Sequence, residues 1–195
     1  MNNGFSIEQV KDILERRHRY TVDDHLLPRA AVLLGLYETT EDFLLVFTKR
    51  TNLVAHHKGE ICFPGGRQHV SDPTMEFTAL RETFEEIGVR PEDVRLLGKL
   101  DDIETISGFV VTPFVGQVCP LRQFITSPDE VEELLQVPLS HLRDTRNQLQ
   151  EFVTKDGMTF RAPTYKYGHH IIWGATARIL HQFLGLTDGL NDTSI

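Results

Sequence analysis

Apolar and polar positions divide the chain into helices and strands. In residues 6–17 (SIEQVKDILERR), Ile7, Val10, Ile13 and Leu14 recur at helical spacing behind Ser6, an N-cap residue type, which predicts an amphipathic helix. A loop ending at Pro28 follows. RAAVLLGLY (29–37) and FLLVFTKR (43–50) are apolar nearly throughout, as in strands covered on both faces, and the polar ETTED between them predicts a hairpin. Residues 51–59 (TNLVAHHKG) are polar and irregular. ICFPGGR (61–67) reads as a short strand entering a Pro-Gly-Gly turn, and a helix at about 73–87 stops at Gly88.

The second half is richer in strands. VRLLGKLDDIE (94–104) and FVVTPFVGQV (109–118) flank TISG, and QLQEFVT (148–154) and MTFRAPTYKY (158–167) flank the turn Lys155-Asp156-Gly157. EVEELLQVPLSHL (130–142) fits the start of either a strand or a helix. IIWGATARILHQFLG (171–185) predicts a last helix with Ile172, Ala175, Ile179 and Phe183 on its apolar face. No repeat, low-complexity tract or linker interrupts the pattern, so one domain over 1–195 is expected, with an N-terminal helix and loop (1–28), a core (29–185) and a tail (186–195).

Composition narrows the class. The net charge of −8 argues against bulk attraction to nucleic acid or an anionic membrane. No apolar run approaches the roughly 18 residues of a membrane span, and the polar amino terminus has no signal-like core. A cytoplasmic protein is the simplest expectation. Cys62 and Cys119 have no metal or redox spacing. Cys62 reads as a small core residue, and Trp173 with Ile172 as helix core. The adjacent pairs His56-His57 and His169-His170 would splay apart on a strand, so neither reads as a shared metal site. Glu132-Glu133 reads as an exposed pair.

The chemistry concentrates in DPTMEFTALRETFEEIG (72–88). On a helical wheel with Glu82 at zero, Glu85 falls at about 300° and Glu86 at about 40°, while Phe77, Leu80, Phe84 and Ile87 gather at about 180°. A greasy face is thus expected to meet the core opposite three carboxylates. Arg81 stands beside Glu85 at i, i+4. Such carboxylates repel unless a cation joins them, and oxygen-only donors suit Mg2+ or Mn2+. A solvated acidic face is the plain alternative for EExG alone. The Gly65-Gly66 turn ahead of the helix weighs toward a ligand site, because it lets backbone approach a ligand closely.

FPGGRQHVSDPTMEFTALRETFEEIGV resembles the Nudix box, G-x5-E-x7-R-E-U-x-E-E-x-G-U with U apolar, the signature of hydrolases of nucleoside diphosphates linked to another group. Arg81-Glu82-Thr83-Phe84-Glu85-Glu86-Ile87-Gly88-Val89 supplies its second half, with Thr83 at an apolar position. Counting from Gly66, the first acid is Asp72, separated from Arg81 by eight residues rather than the seven of the pattern, where it is expected to cap a helix opening at Pro73. The resemblance implies an α/β fold, a Nudix-type α/β/α sandwich around a mixed β-sheet. It makes Glu82 and Glu86 the main metal ligands, Glu85 a further one, Arg81 the residue orienting the carboxylates, and Gly66 the source of a backbone carbonyl. A later acid often serves as ligand or base: Glu130 fits best, with Asp102 and Glu104 as rivals.

Ahead of the box, Arg50, His56, His57, Lys58 and Arg67 form a cationic run suited to a polyanion, or a solvated loop. The run resembles the coenzyme A pyrophosphatase motif L-L-T-x-R-[SA]-x3-R-x3-G-x3-F-P-G-G-R. Thr48, Arg50, Gly59 and Phe63 to Arg67 match, whereas Thr51 and Ala55 depart. The resemblance implies a small-molecule substrate, coenzyme A or acyl-CoA, cleaved to 3′,5′-ADP and 4′-phosphopantetheine or its acyl form. Arg50, Lys58, Gly65, Gly66 and Arg67 would bind it. The loss at Ala55 keeps ADP-ribose, dinucleoside polyphosphates and nucleoside triphosphates in view. A non-catalytic nucleotide-binding module would be expected to lack the glutamates. Monomer and homodimer both remain open.

Overall fold

The structure is a computed structural model and describes residues 6–51, 59–119, 123–155 and 158–188. Helix α1 (Ile7–Arg16) is capped by Ser6, whose hydroxyl accepts from Gln9 N–H at 3.2 Å, and it buries Ile7, Val10 and Leu14. Strands β1 (Arg29–Glu38) and β2 (Phe43–Arg50) pair antiparallel beside their turn, at Leu36–Glu38 with Phe43–Leu45. Further along they diverge. There β3 (Ile61–Cys62) pairs with β2, and β4 (Gly65–Arg67) pairs with β1.

Helix α2 (Met75–Ile87) follows, then β5 (Val94–Lys99), β6 (Ile103–Glu104) and β7 (Val110–Val118). β7 runs parallel to β1 along its whole length, the pairing that makes the sheet mixed. The segment 130–142 resolves into both expected forms in turn: β8 (Val131–Pro138) along β2, then the short α3 (Leu139–Arg143). A second sheet contains β9 (Gln148–Lys155), β10 (Met158–Tyr167) and β11 (His170–Ile172), and α4 (Gly174–Thr187) ends the described fold.

The layers follow from which face each side chain takes. On one face of the main sheet, Ala31, Leu33 and Phe114 pack with Ala79 of α2, and Val46 and Val118 with Ile87 and Val89. On the other, Leu34, Leu36, Leu45, Phe47 and Val115 pack with α1 and with Ile179, Leu180 and Phe183 of α4. This is the expected sandwich of helices around a mixed sheet. Tyr165 and Ile172 of the second sheet join the same core. Among the described residues no helix is long and apolar enough to cross a membrane.

Three expectations are overturned. α2 is rotated from the expected orientation: Phe77 and Phe84 are 47% and 48% exposed, while Thr78, Ala79, Thr83, Glu86 and Ile87 are buried. Small residues let the helix lie close on Ala31 and Leu33, and the side that meets the sheet is also the side that carries Glu86 inward. Thr83 is tolerated there because its hydroxyl donates to Ala79 O at 2.6 Å. Asp72 does not cap α2; Thr74 does, accepting from Phe77 N–H at 3.1 Å. Trp173 is exposed and sits at the N-cap of α4, with Ile172 buried on β11 before it.

Candidate active site

Two glycines let three elements meet. Gly65 has φ +149, and a Cβ there would lie 2.3 Å from Ala31 O on β1. A Cβ on Gly66 would lie 2.4 Å from Glu82 Oε2. Only bare backbone fits between β1 and the α2 carboxylates. The backbone bonds Leu33 N–H to Pro64 O and Gln68 N–H to Arg29 O flank the Ala31–Gly66 pair two residues to either side. Ladder alternation therefore turns the Gly66 carbonyl toward β1 and the Gly65 carbonyl away from it. The β4 carbonyl that faces away from β1 is thus that of Gly65.

Glu86 is 1% exposed, at the bottom of the site. It accepts from Gly65 N–H and from Arg50 Nη1, each at 3.3 Å. Burial pushes its carboxyl up to about 8, against the pull of Arg50 and Gly65 and with further help from the charges of Glu130 and Glu82. Burial also raises the Glu82 carboxyl, opposed by Arg81 and reinforced by Glu85 and Glu130. Glu85 lies at the exposed rim.

Arg81 ties the acids together. Its guanidinium bonds Asp72 through Nε and Nη2 at 3.1 and 2.9 Å, and reaches Glu82 and Glu85 at 2.8 Å each. Nη2 also donates to Arg67 O. Asp72 is buried, accepting from His69 N–H and Thr78 Oγ1 as well. The Arg81 bonds hold its carboxyl well below the usual carboxylate range.

Glu130 arrives on a loop fastened to the end of α2. Ile125 N–H donates to Ile87 O and Ser127 N–H to Glu86 O, satisfying carbonyls the helix leaves open. Glu130 O then accepts from Thr51 N–H at 3.0 Å. Both α2 carboxyls feel its charge.

The structure thus brings Arg50, Gly65, Gly66, Arg81, Glu82, Glu85, Glu86 and Glu130 together. Arg67 presents its side chain to solvent beside them. Lys58, with Ala55, His56 and His57, lies outside the described residues. Asp102 is committed elsewhere, to Arg19, Thr112 and Val22 N–H, and Glu104 is exposed on β6. Burial pushes the Cys62 thiol up to about 11, which disfavours the reactive thiolate. Sequence reading missed the anchoring of Arg81 by Asp72 and the direct contact of Arg50 with Glu86. The one-residue displacement of Asp72 from the box pattern hid the first, and no local spacing signals the second.

Five carboxylates, Asp72, Glu82, Glu85, Glu86 and Glu130, gather around two arginines, Arg50 and Arg81, and Glu86 is poorly neutralised. The donors are all oxygen. Such a set fits a hard divalent cation.

A mixed α/β sandwich with a carboxylate helix under a glycine strand is the setting of a protein that uses a divalent metal. The chain belongs to the Nudix hydrolase family: the NUDIX domain matches residues 26–156. It is similar to the protein named Uncharacterized Nudix hydrolase NudL of Photorhabdus laumondii subsp. laumondii, at 36% identity over 153 residues, covering 78% of this chain and 81% of the relative. The protein of the same name from Enterobacter sp. (strain 638) is 34% identical over 173 residues, covering 88% and 83%. Among solved structures, a MutT/nudix family protein from Enterococcus faecalis shares the fold at a TM-score of 0.60 and 15% identity, covering 95% of this chain and 75% of that one.

Proposed function

We propose that the protein hydrolyses the diphosphate of coenzyme A or an acyl-CoA, with Mg2+ or Mn2+ as cofactor. The observation that carries this reading is the contact of Arg50 with Glu86. Two residues of the motif that resembles the coenzyme A signature, Arg50 and Gly65, donate to Glu86 of the carboxylate cluster. Arg50 and Arg67 flank the cluster where phosphate oxygens would enter, and Lys58 belongs to the same run.

Water attacks one phosphorus of the diphosphate, and the bridging P–O bond breaks. The products are 3′,5′-ADP and (acyl-)4′-phosphopantetheine. A divalent metal held there would neutralise the diphosphate oxygens and lower the pKa of water. Glu82, Glu85 and Glu86 would hold the cation, and Arg81 fixes Glu82 and Glu85 in place. Glu130, on a loop anchored at both ends, accepts the proton of the attacking water. Arg50 holds Glu86 through Nη1, and its remaining nitrogens would serve phosphate.

The test is hydrolysis of coenzyme A, acetyl-CoA, ADP-ribose and a dinucleoside tetraphosphate at fixed Mg2+ or Mn2+, with products separated by chromatography. Release of 3′,5′-ADP at the highest kcat/KM of the panel supports the reading. Faster turnover of ADP-ribose, or no 3′,5′-ADP above background, rejects it.

A further inference from the structure

The second sheet meets the edge of the main sheet at a cluster on the face of β8 opposite the carboxylate helix. On β8, Leu134 packs with Ile87 and Val89 on the α2 side. Glu133, its neighbour, takes the opposite face, with Leu135 and Val137. β11 lies on that face. His170 opens β11 with its side chain 7% exposed, and its Nε2 is 3.3 Å from Glu133 Oε2. His169 precedes it in the turn, and the two rings stand 3.9 Å apart between centroids at 38°. The expected splaying of these histidines does not occur. Gly168, at φ +59, turns the chain just before them, so strand alternation does not separate the rings. One ligand atom each from Glu133, His169 and His170 lies within 4.8 Å of the others.

We propose that Glu133, His169 and His170 form a second cation site, for a borderline transition-metal ion such as Zn2+, chemically distinct from the oxygen-only cluster on α2. Two imidazole nitrogens and one carboxylate oxygen select Zn2+, Ni2+ or Co2+ over Mg2+. Zinc bonds of about 2.0–2.1 Å in a tetrahedron place ligand atoms about 3.3 Å apart. The His170–Glu133 distance already has that value. His169 sits on an exposed turn, where its ring has room to close the remaining gap. Lys49, opposite Glu133 in the β2–β8 register, directs its ammonium to Glu132 at 2.5 Å instead. An ordinary His170–Glu133 ion pair uses two of the three groups and gives no role to the His169 ring beside them.

The site joins the turn between β10 and β11 to β8, three residues beyond Glu130 in the chain. Occupancy fastens the second sheet to the edge of the main one, and its signature is stabilisation by Zn2+ without any need for substrate.

Co2+ serves as the visible probe. Titrated into metal-free protein, it is expected to give a d–d absorption band saturating at one equivalent, displaced by Zn2+. The band is retained in Glu86→Gln, which disables the α2 cluster. His169→Ala and Glu133→Gln, both at exposed positions, weaken Co2+ binding at least about tenfold, and equimolar Zn2+ then no longer raises the melting temperature as it does in wild type. A band unchanged in His169→Ala, a band lost in Glu86→Gln, or no band in folded wild-type protein would each overturn the proposal.

Discussion

The Arg81 guanidinium grips the buried Asp72 carboxylate through two nitrogens, Nε to Oδ1 at 3.1 Å and Nη2 to Oδ2 at 2.9 Å. The anchor lies nine residues back along the chain, in the loop before α2. It fixes the arginine that in turn fixes Glu82 and Glu85. Asp72 therefore acts on the site through another side chain.

Asp72→Asn is expected to lower kcat more than it changes KM, because Arg81 loses its charged anchor while substrate contacts remain. It also lowers stability at neutral pH. The folded-state carboxyl is depressed below its unfolded value of about 3.9. The stabilisation is therefore complete above that value and is lost as pH falls through the lower folded value. Thermal melts of wild type and variant should differ at pH 7 and converge progressively below about pH 4.

Glu86→Gln should remove at least about 99% of turnover, since one of the most central oxygen donors is replaced by a neutral amide. Without metal, the same change should stabilise the fold. The Glu86 carboxyl is raised to about 8 by burial, so the folded state binds its proton more tightly than the unfolded chain does. Wild-type stability thus falls as pH rises from about 4.3 toward 8, and the glutamine variant escapes that loss. Melting curves in a chelator at pH 5 and pH 9 check the sign: equal or lower variant stability at pH 9 would contradict it.

Gly66→Ala and Gly65→Ala should fail in different ways. The Cβ at Gly66 meets the end of a side chain, Glu82 Oε2, at 2.4 Å. The fold can survive by moving that carboxylate, with activity down at least about tenfold. The Cβ at Gly65 meets backbone, Ala31 O at 2.3 Å, at φ +149. That substitution costs stability, of order 1–3 kcal/mol. Denaturant melts and initial rates on the two variants separate the outcomes.

Glu130→Gln should lower kcat by about 10²–10⁴ if the residue takes the proton from water, with KM and melting temperature nearly unchanged. A fall in metal affinity at unchanged metal-saturated kcat would reassign it as a ligand alone.

Phe84→Ser should cost less than about 0.5 kcal/mol, as for an exposed side chain. A core phenylalanine would cost about 3–5 kcal/mol on truncation. Ala79→Leu, on the side pressed against Ala31 and Leu33, should cost about 1–3 kcal/mol by overpacking. Chemical denaturation of both variants tests which way α2 faces.

Much of this was legible in the chain before folding. The helical spacing of Ile7, Val10 and Leu14 behind Ser6, and the apolar runs of β1 and β2, place those elements because local periodicity reports local structure. The spacing of Arg81, Glu82, Glu85 and Glu86 specifies one acidic helix segment, since helix geometry is the same wherever the helix packs. Tertiary structure decided the rest. Which side of α2 meets the sheet depends on how closely Ala79 approaches Ala31, and on a site that needs Glu86 inside; the outcome left Phe77 and Phe84 in water. Arg50, Asp72 and Glu130 reach the cluster from three different segments, and His169 and His170 come together through a turn at Gly168. Contacts across long chain separations are set by how sheets and helices pack, and no local pattern of residues encodes them.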